Sequence, residues 1–253
     1  MFPIVHHFAN KKFNKDFSPL LVFGGLFPDL ASGMGLERNW AHNMGADFYA
    51  WAEKNSPQSA IPLARGILCH GSKPNGLDYY ADEYWPGGKK GWCFQQGQNW
   101  LEEVKYSTHL PDNLIWWKAH NFIEMCLELL MTEKYPLLNK EILTSLADTS
   151  YEKEAVDLFS LYTSVDKKII RDVFRKVPQI FALEEVSAGE LAKKQAQAFA
   201  LRHQVFDADI VAMSETISAM CQEIEALYPS FLDTALAKVG EMLDQYPSLL
   251  KDS

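Results

Sequence analysis

The chain lacks several features that would reveal its class at once. Its four cysteines are scattered without CxxC spacing, which argues against a zinc–cysteine site and favours reduced, buried thiols. It has no run of about 18 apolar residues, so no transmembrane span is expected. The first residues show no basic segment followed by a long apolar one. We therefore predict no signal peptide and expect a cytoplasmic protein.

Positive charge is also scarce, since 24 Lys and Arg residues stand against 33 Asp and Glu, a net charge of −9 at pH 7. A protein of this charge is not expected to coat nucleic acid or to bind an anionic membrane surface. It could still bind a phosphorylated substrate, because divalent metal ions reverse the local potential of a carboxylate-rich pocket.

Alternating β-branched runs are few, and apolar residues recur instead at the helical spacing of 3.6 residues. This pattern predicts an all-α fold, a multi-helix bundle with a sizeable core. The predicted helices cover about residues 18–32, 39–54, 58–71, 93–107, 111–133, 137–147, 151–164, 166–183, 187–205 and a long pair across 207–250.

The residues that carry chemistry are concentrated in the first half of the chain. All seven Trp lie between Trp40 and Trp117, and six of the seven His precede Asn121. The sequence beyond about residue 150 is typical of ordinary amphipathic helices. We therefore expect a metal-binding helical domain at residues 1–150 and a C-terminal helical extension packed on it at 151–253. The last helices of this extension could form a homodimer.

Several His and acidic residues stand where apolar residues would be expected. His120 and Glu124 are four residues apart, which places both on one helix face among aromatic and aliphatic neighbours. Imidazole and carboxylate ligands suit zinc or another first-row divalent ion, and separated helices of a bundle often supply them. The candidate metal ligands are His6, His7, Asp29, His42, His70, Asp78, His120 and Glu124.

Each candidate also has a simpler structural interpretation. A single His on an apolar face is most often a hydrogen-bonded core residue, and His120 could pair with Glu124 alone. Asp29 could cap a helix, while Asp78 and Asp82 could belong to a solvated acidic face. The co-occurrence of these residues in one half of the chain favours a shared metal site.

The order of these motifs resembles that of the zinc-dependent phospholipase C family, whose helical fold the fungal zinc nucleases share. The resemblance covers about residues 3–125 and implies two or three divalent ions. It also implies the same helical fold, here with additional C-terminal helices. The matching pieces are His6 or His7, "GGLFPD" with Asp29, "WAHN" with His42, "GILCH" with His70, Asp78, and "HNFIE" with His120 and Glu124.

The sequence departs from the family pattern after the "GILCH" motif. The family has an acidic residue four positions after this His, bridging two zinc ions, but here Pro74 occupies the position. Either the loop "GSKPNGL" returns Asp78 to the bridging position, or the bridge is lost. The family also has a further His before the H-x3-E pair. His109 has a poor spacing for this role, and Asp82 or Glu83 could substitute.

The resemblance implies phosphodiester hydrolysis by metal-activated water, with a small-molecule or lipid phosphoester as substrate. Asp29 is the predicted catalytic residue, either as a ligand or by orienting the water. Secreted family members also use a freed N-terminal amine as a ligand; without a signal peptide, two ions are expected in preference to three. The predicted apolar wall of the substrate pocket comprises Trp40, Tyr79, Tyr80, Trp85 and Trp92.

Two other functions stay open. One is a non-catalytic helical interaction protein in which the metal site is degenerate. The other is a metal-dependent hydrolase that acts on a different bond, such as an amide or a lactone. The residue pattern does not distinguish between these bonds.

Overall fold

The computed structural model describes residues 3–14 and 17–247, and every regular element within these ranges is helical, which confirms the predicted all-α fold. None of the described helices combines the length and apolar character needed to cross a bilayer. The α-helices are α1 (Pro3–Phe13), α2 (Leu20–Leu30), α3 (Arg38–Asn43), α4 (Gly45–Asn55), α5 (Pro57–His70), α6 (Trp92–Gly97), α7 (Leu101–Thr108), α8 (Asp112–Lys134), α9 (Leu138–Ala147), α10 (Thr149–Thr163), α11 (Lys167–Arg175), α12 (Val177–Ile180), α13 (Ala188–His203), α14 (Ile210–Ile224) and α15 (Tyr228–Leu243). Shorter turns of 3-10 type at Ala31–Met34 and Gln98–Trp100 and of π type at Tyr79–Glu83 complete the set.

Most predicted helices are present, but three long segments are divided. The segment predicted at 39–54 breaks at Met44, and the one at 93–107 contains a 3-10 turn. The segment at 166–183 ends its first helix at Arg175, and a separate short helix with Pro178 in its first turn follows. Proline is favoured there because the first helical N–H groups have no intrahelical partner.

Helix α1 is not predicted by the apolar pattern, because its sequence "PIVHHFANKKF" is rich in residues of modest helix propensity. Tertiary contacts stabilise it instead. Ile4 and Val5 are buried in the core, and the Glu128 carboxylate on α8 accepts hydrogen bonds from their backbone N–H groups at 3.1 and 3.3 Å. Glu128 thus caps the first turn of α1, which carries His6.

Helices α2 and α5 approach closely because Gly66 lies at their contact. A Cβ atom at this position would lie 2.5 Å from the carbonyl oxygen of Leu21 and 2.7 Å from the backbone nitrogen of Gly25. The approach brings the end of α5 against the backbone of α2, where His70 Nδ1 donates to the Gly25 carbonyl at 2.6 Å. Gly66 therefore contributes to the placement of His70.

Gly66→Ala is expected to destabilise the protein by about 1–3 kcal/mol, because the added methyl group meets backbone atoms that cannot rotate away. Urea-induced unfolding followed by circular dichroism measures the change. Gly189→Ala is the matched control, since a Cβ atom at Gly189 on α13 meets nothing within 4 Å. The control variant should be as stable as the wild type or slightly more stable. Equal unfolding midpoints for the two variants would contradict the role assigned to Gly66.

One continuous hydrophobic core includes residues from both predicted domains. Phe27 of α2 stacks on Phe159 of α10, with ring centroids 4.1 Å apart, and Cys126 of α8 donates from Sγ to the Ile217 carbonyl of α14 at 3.3 Å. The four cysteines are free, and three are buried, as expected. The domain division near residue 150 stays a prediction.

The C-terminal helices direct their apolar faces into their own chain. Met213, Ile217 and Met220 of α14 are buried, as are Phe231 and Leu236 of α15. A homodimer formed through these helices would have to use residues other than these buried ones. The homodimer stays a prediction.

Candidate metal centre

The structure brings seven of the eight predicted ligands, together with Asp82, into two neighbouring groups. The Asp78 group contains His6 from α1, Asp29 from α2, His42 from α3, His70 from the end of α5, and Asp78. The Asp82 group contains Asp82 from the π-helical turn and His120 and Glu124 from α8. Separate elements thus supply the candidate ligands, as they do in helical bundles that hold metal ions.

The carboxylate of Asp78 is the centre of its group. Its Oδ1 lies 3.3 Å from His6 Nε2, and its Oδ2 lies 3.3 Å from His42 Nε2 and 3.1 Å from His70 Nε2. Asp29 Oδ1 lies 3.6 Å from His42 Nε2. Neighbouring ligand atoms of a tetrahedral zinc ion are about 3.3 Å apart, given bond lengths of about 2.0–2.1 Å. The distances therefore fit an ion held by His6, His70 and Asp78. A second set, Asp29, His42 and His70, likewise has its ligand atoms within 4.8 Å of one another.

The loop after α5 determines where Asp78 lies. Helix α5 ends at His70, before Pro74, and the chain then folds back along α5. A Cβ atom at Gly76 would lie 2.4 Å from the carbonyl oxygen of Leu68, so a side chain there would clash with the backbone. The loop thus brings Asp78 back to within 3.1 Å of His70, while its bridging role between two ions stays a prediction.

Backbone carbonyl groups orient two of the imidazole rings. The Glu37 side chain caps the short helix α3, in which His42 Nδ1 donates to the Arg38 carbonyl at 2.9 Å. The equivalent bond of His70, to the Gly25 carbonyl, is 2.6 Å long. In the neutral ring that a metal ligand requires, a proton on Nδ1 would leave the Nε2 lone pair facing Asp78. Such outer-shell bonds orient metal-ligating His residues.

A π-helical turn connects the two groups. Tyr84 N donates to the Tyr79 carbonyl at 2.8 Å, five residues back, which widens the turn that carries Asp82. π-Type turns are rare and occur frequently at functional sites. Here the turn contributes Asp82 to the second group, while Asp78 precedes it.

The Asp82 group is built against α8. His120 Nε2 lies 3.9 Å from Glu124 Oε1, and Asn121 donates from Nδ2 to Glu124 Oε2 at 2.7 Å. The Oδ1 atom of Asp82 is buried and has no hydrogen-bond partner among the described residues. The ligand atoms of Asp82, His120 and Glu124 all lie within 4.8 Å of one another, close enough to share one ion.

The charges of the Asp78 group are strongly perturbed. Burial lowers the pKa of His6 to about 4, with a further contribution from nearby His70. Burial also acts to lower the pKa of His42, but the carboxylates of Asp29 and Asp78 outweigh it and raise this pKa to about 10. Burial alone would raise the pKa of Asp78, yet the surrounding His residues hold it well below its usual range.

The carboxyl of Asp82 shows the opposite perturbation. Burial first, and then the nearby Glu124 and Asp78 carboxylates, raise its pKa well above the usual range. Three carboxyl groups buried this close together need protons or a cation to offset their repulsion. Buried nitrogen and carboxylate oxygen donors of this kind fit a divalent first-row ion. The buried groups could therefore hold metal ions.

Three residues considered as ligands lie elsewhere. His7 points away from both groups, with its Nε2 2.9 Å from Glu141 Oε2, so of the two adjacent His residues it is His6 that lies at the centre. His109 and Glu83 form ion pairs with partly exposed residues, so neither joins the second group. Of the candidates for the ligand that precedes the H-x3-E pair, Asp82 is the one that lies beside His120 and Glu124. The N-terminal amine lies outside the described residues.

A cavity of about 700 Å³ adjoins both groups, because Asp29, His120 and Glu124 are among its lining residues. The predicted aromatic wall is wrong for this cavity. Trp92, for example, stacks on Phe231 at a centroid distance of 4.5 Å and does not line it. The cavity aromatics are instead Trp117 from α8 together with Phe181 and Phe199 from the C-terminal segment.

The residues that sequence reasoning missed have weak local signals. Asn121 follows His120 and has no motif of its own, although it holds the Glu124 carboxylate. Asp82 lies four residues after Asp78, and the sequence indicates it only as a substitute for the missing His ligand. The basic residues of the cavity come from segments far apart in the chain, including Arg38 and Arg202.

Comparison of the chain with protein-family models, with curated proteins and with solved structures finds no match. The resemblance to the zinc-dependent phospholipase C family therefore depends on the quoted motifs, and family membership stays a prediction.

Proposed function

We propose that the protein is a metal-dependent phosphoesterase that hydrolyses phosphodiesters at a di- or trinuclear zinc centre. The observation that carries this proposal is the Asp78 carboxylate, which lies 3.1–3.3 Å from the Nε2 atoms of three buried His residues. The second ligand group and the adjoining cavity add to it, because they supply a place for another ion and for a substrate.

The proposed roles of the residues follow from their positions. His6, His42, His70 and Asp78 would hold metal at the first group, and the three members of the Asp82 group would hold a further ion. The bound ions would activate water and neutralise charge on the phosphoryl oxygens. The carbonyl groups that bind the Nδ1 atoms of two rings keep the His ligands in place.

Asp29 is the proposed catalytic residue among the chain's own groups. Its side chain is only 9% exposed, lies against His42 and lines the cavity. A carboxylate in this position can accept a proton from an attacking water or orient that water toward a bound phosphoester. The resemblance to zinc-dependent phospholipases C supports phosphodiesters as the substrate class, with a small-molecule or lipid substrate.

The proposal is tested by metal content and by hydrolysis of bis(p-nitrophenyl) phosphate. We expect two or three zinc equivalents per chain by plasma mass spectrometry and release of p-nitrophenol by the loaded protein. His120→Ala should lose about one equivalent, because it removes one of three ligands from the Asp82 group. His109→Ala is the matched control, since His109 is partly exposed and pairs with Asp207 at 3.2 Å, away from both groups.

Three results would contradict parts of the proposal. Full metal and activity in His120→Ala would exclude the Asp82 group as a metal site. Wild-type protein that stays metal-free after incubation with zinc and manganese would support the non-catalytic alternative. Cleavage of amide or lactone substrates without phosphodiester hydrolysis would retain the metal centre but overturn the proposed substrate class.

A further inference from the structure

Five cationic side chains line the cavity beside the metal-ligand groups, and we call them the basic wall. They come from α3, α8 and the C-terminal segment, and comprise Arg38, Lys118, Lys176, Lys194 and Arg202. The carboxylates that line the same cavity are Asp29 and Glu124, which belong to the ligand groups, and Glu128, which caps α1. Beyond the metal ligands, the cavity is therefore positive, in a chain whose net charge is −9.

The basic wall forms no salt bridge within the described part of the protein, although the carboxylates of the ligand groups act on Arg38 and Lys118 and outweigh burial to raise the pKa of Arg38. Seven other Lys and Arg residues do form salt bridges there. The contrast is sharpest on α13, where Lys193 pairs with Glu190 at 3.1 Å while the adjacent Lys194 faces the cavity unpaired. Lys176, Lys194 and Arg202 have no carboxylate within salt-bridge distance among the described residues, and cations held together in this way provide a binding site for an anion.

Cations from two different helices, α8 and α13, lie close enough to affect the same residue, His203. The pKa of His203 is lowered by burial and then by the positive charges of Lys118 and Arg202, so α8 and α13 both contribute to one positive region. Phe181 and Phe199, both buried, line the same cavity and offer apolar contact to the part of a ligand between two anionic groups.

We infer that the basic wall binds a second anionic group of the substrate, such as a phosphate, in addition to the scissile phosphoester. The inference rests on the proposed function, which places the scissile group at the Asp78 and Asp82 groups. A cavity of about 700 Å³ lies in the usual range of small-molecule sites, roughly 300–1,000 Å³. The substrate class is thus a small molecule or a lipid headgroup that carries two anionic groups.

The test compares a sugar bisphosphate with the matching monophosphate. Zinc-incubated wild type, the double variant Lys194→Gln/Arg202→Gln and the control Lys193→Gln are titrated calorimetrically with fructose 1,6-bisphosphate and fructose 6-phosphate. We expect wild type and control to bind the bisphosphate at least about tenfold more tightly than the monophosphate, because charge-assisted hydrogen bonds to a second phosphate are added. The double variant should lose this preference.

Equal affinity of wild type for the two sugars, no binding of either, or an unchanged preference in the double variant would overturn the inference. A second probe separates the possible sources of the anion. Cosedimentation with phosphatidylcholine vesicles containing phosphatidylinositol 4-phosphate, lost in the double variant only, would assign the wall to a lipid headgroup. Binding of the sugar bisphosphate without vesicle binding would assign it to a soluble substrate.

Failure of the inference can be distinguished from failure of the proposed function. Metal content and hydrolysis of bis(p-nitrophenyl) phosphate, which has no second anionic group, are measured on the same wild-type preparation. A bisphosphate preference without metal or hydrolysis would retain the anion site and reject the phosphoesterase. Hydrolysis without a bisphosphate preference would retain the phosphoesterase and reject the anion site.

Discussion

Asp78→Asn is expected to release metal from the Asp78 group and to lower kcat/KM for bis(p-nitrophenyl) phosphate at least about 100-fold. Mutation of an outer-shell partner of a metal ligand typically lowers metal affinity or activity by about 10–100-fold. Mutation of a central ligand should lower them by at least as much. The side chain of Asp78 lies within 3.3 Å of three His Nε2 atoms, so its charge is the common counter-charge of the group. Metal analysis and steady-state kinetics on zinc-loaded protein measure both effects.

Glu83→Gln is the matched control for this variant. Glu83 lies five residues further along, at the end of the π-helical turn, but its side chain is half exposed and pairs only with Lys90 among the described residues. Its removal should change neither metal content nor kcat/KM. If Asp78→Asn retained the metal and activity of the control, the Asp78 group would not be the metal centre.

Removal of metal is expected to lower the Tm by roughly 8–16 °C. An ion present at 1,000 times its Kd stabilises the folded state by about 4 kcal/mol. Each kcal/mol corresponds to about 2–4 °C in a protein of this size. The bound ion would stabilise the folded state because it offsets the repulsion among the buried Asp78, Asp82 and Glu124 carboxyl groups. Differential scanning calorimetry before and after treatment with a chelator measures the shift.

Two additions make the thermal experiment specific. Zinc added back to the chelated wild type should restore the original Tm, and His120→Ala should show a smaller shift because it retains the Asp78 group alone. A Tm that chelation leaves unchanged, in protein that also contains no metal, would favour a helical protein whose His and acidic residues pair with one another.

The local sequence contains enough information to predict the helices and most of the candidate ligands. Helical periodicity is a property of neighbouring residues, so the apolar spacing predicts most elements from α2 onward. The candidate ligands are visible because a buried His or Asp within an apolar segment needs compensation. His120 and Glu124 are the clearest case, and the structure buries both on one face of α8.

Helix α1 and the loop before Asp78 depend on contacts that no local pattern contains. Helix α1 needs the Glu128 carboxylate from a residue more than 120 positions away to cap its first turn. The loop after His70 returns Asp78 to the site only because Gly76 can pack against the backbone of α5. A sequence window around Pro74 predicts the end of the helix, but it contains no information on the direction of the chain that follows.

The sequence by itself determined the all-α fold, because helical periodicity is a local signal. It also identified most candidate ligands, because a polar residue within an apolar segment is a local signal as well. The tertiary structure alone decided that His6 and not His7 joins the Asp78 group, and that Asp82 completes the second one. It also decided that α13 closes a positive cavity beside them. These outcomes depend on how helices distant in sequence pack, and the free energy of that packing is distributed over the whole core.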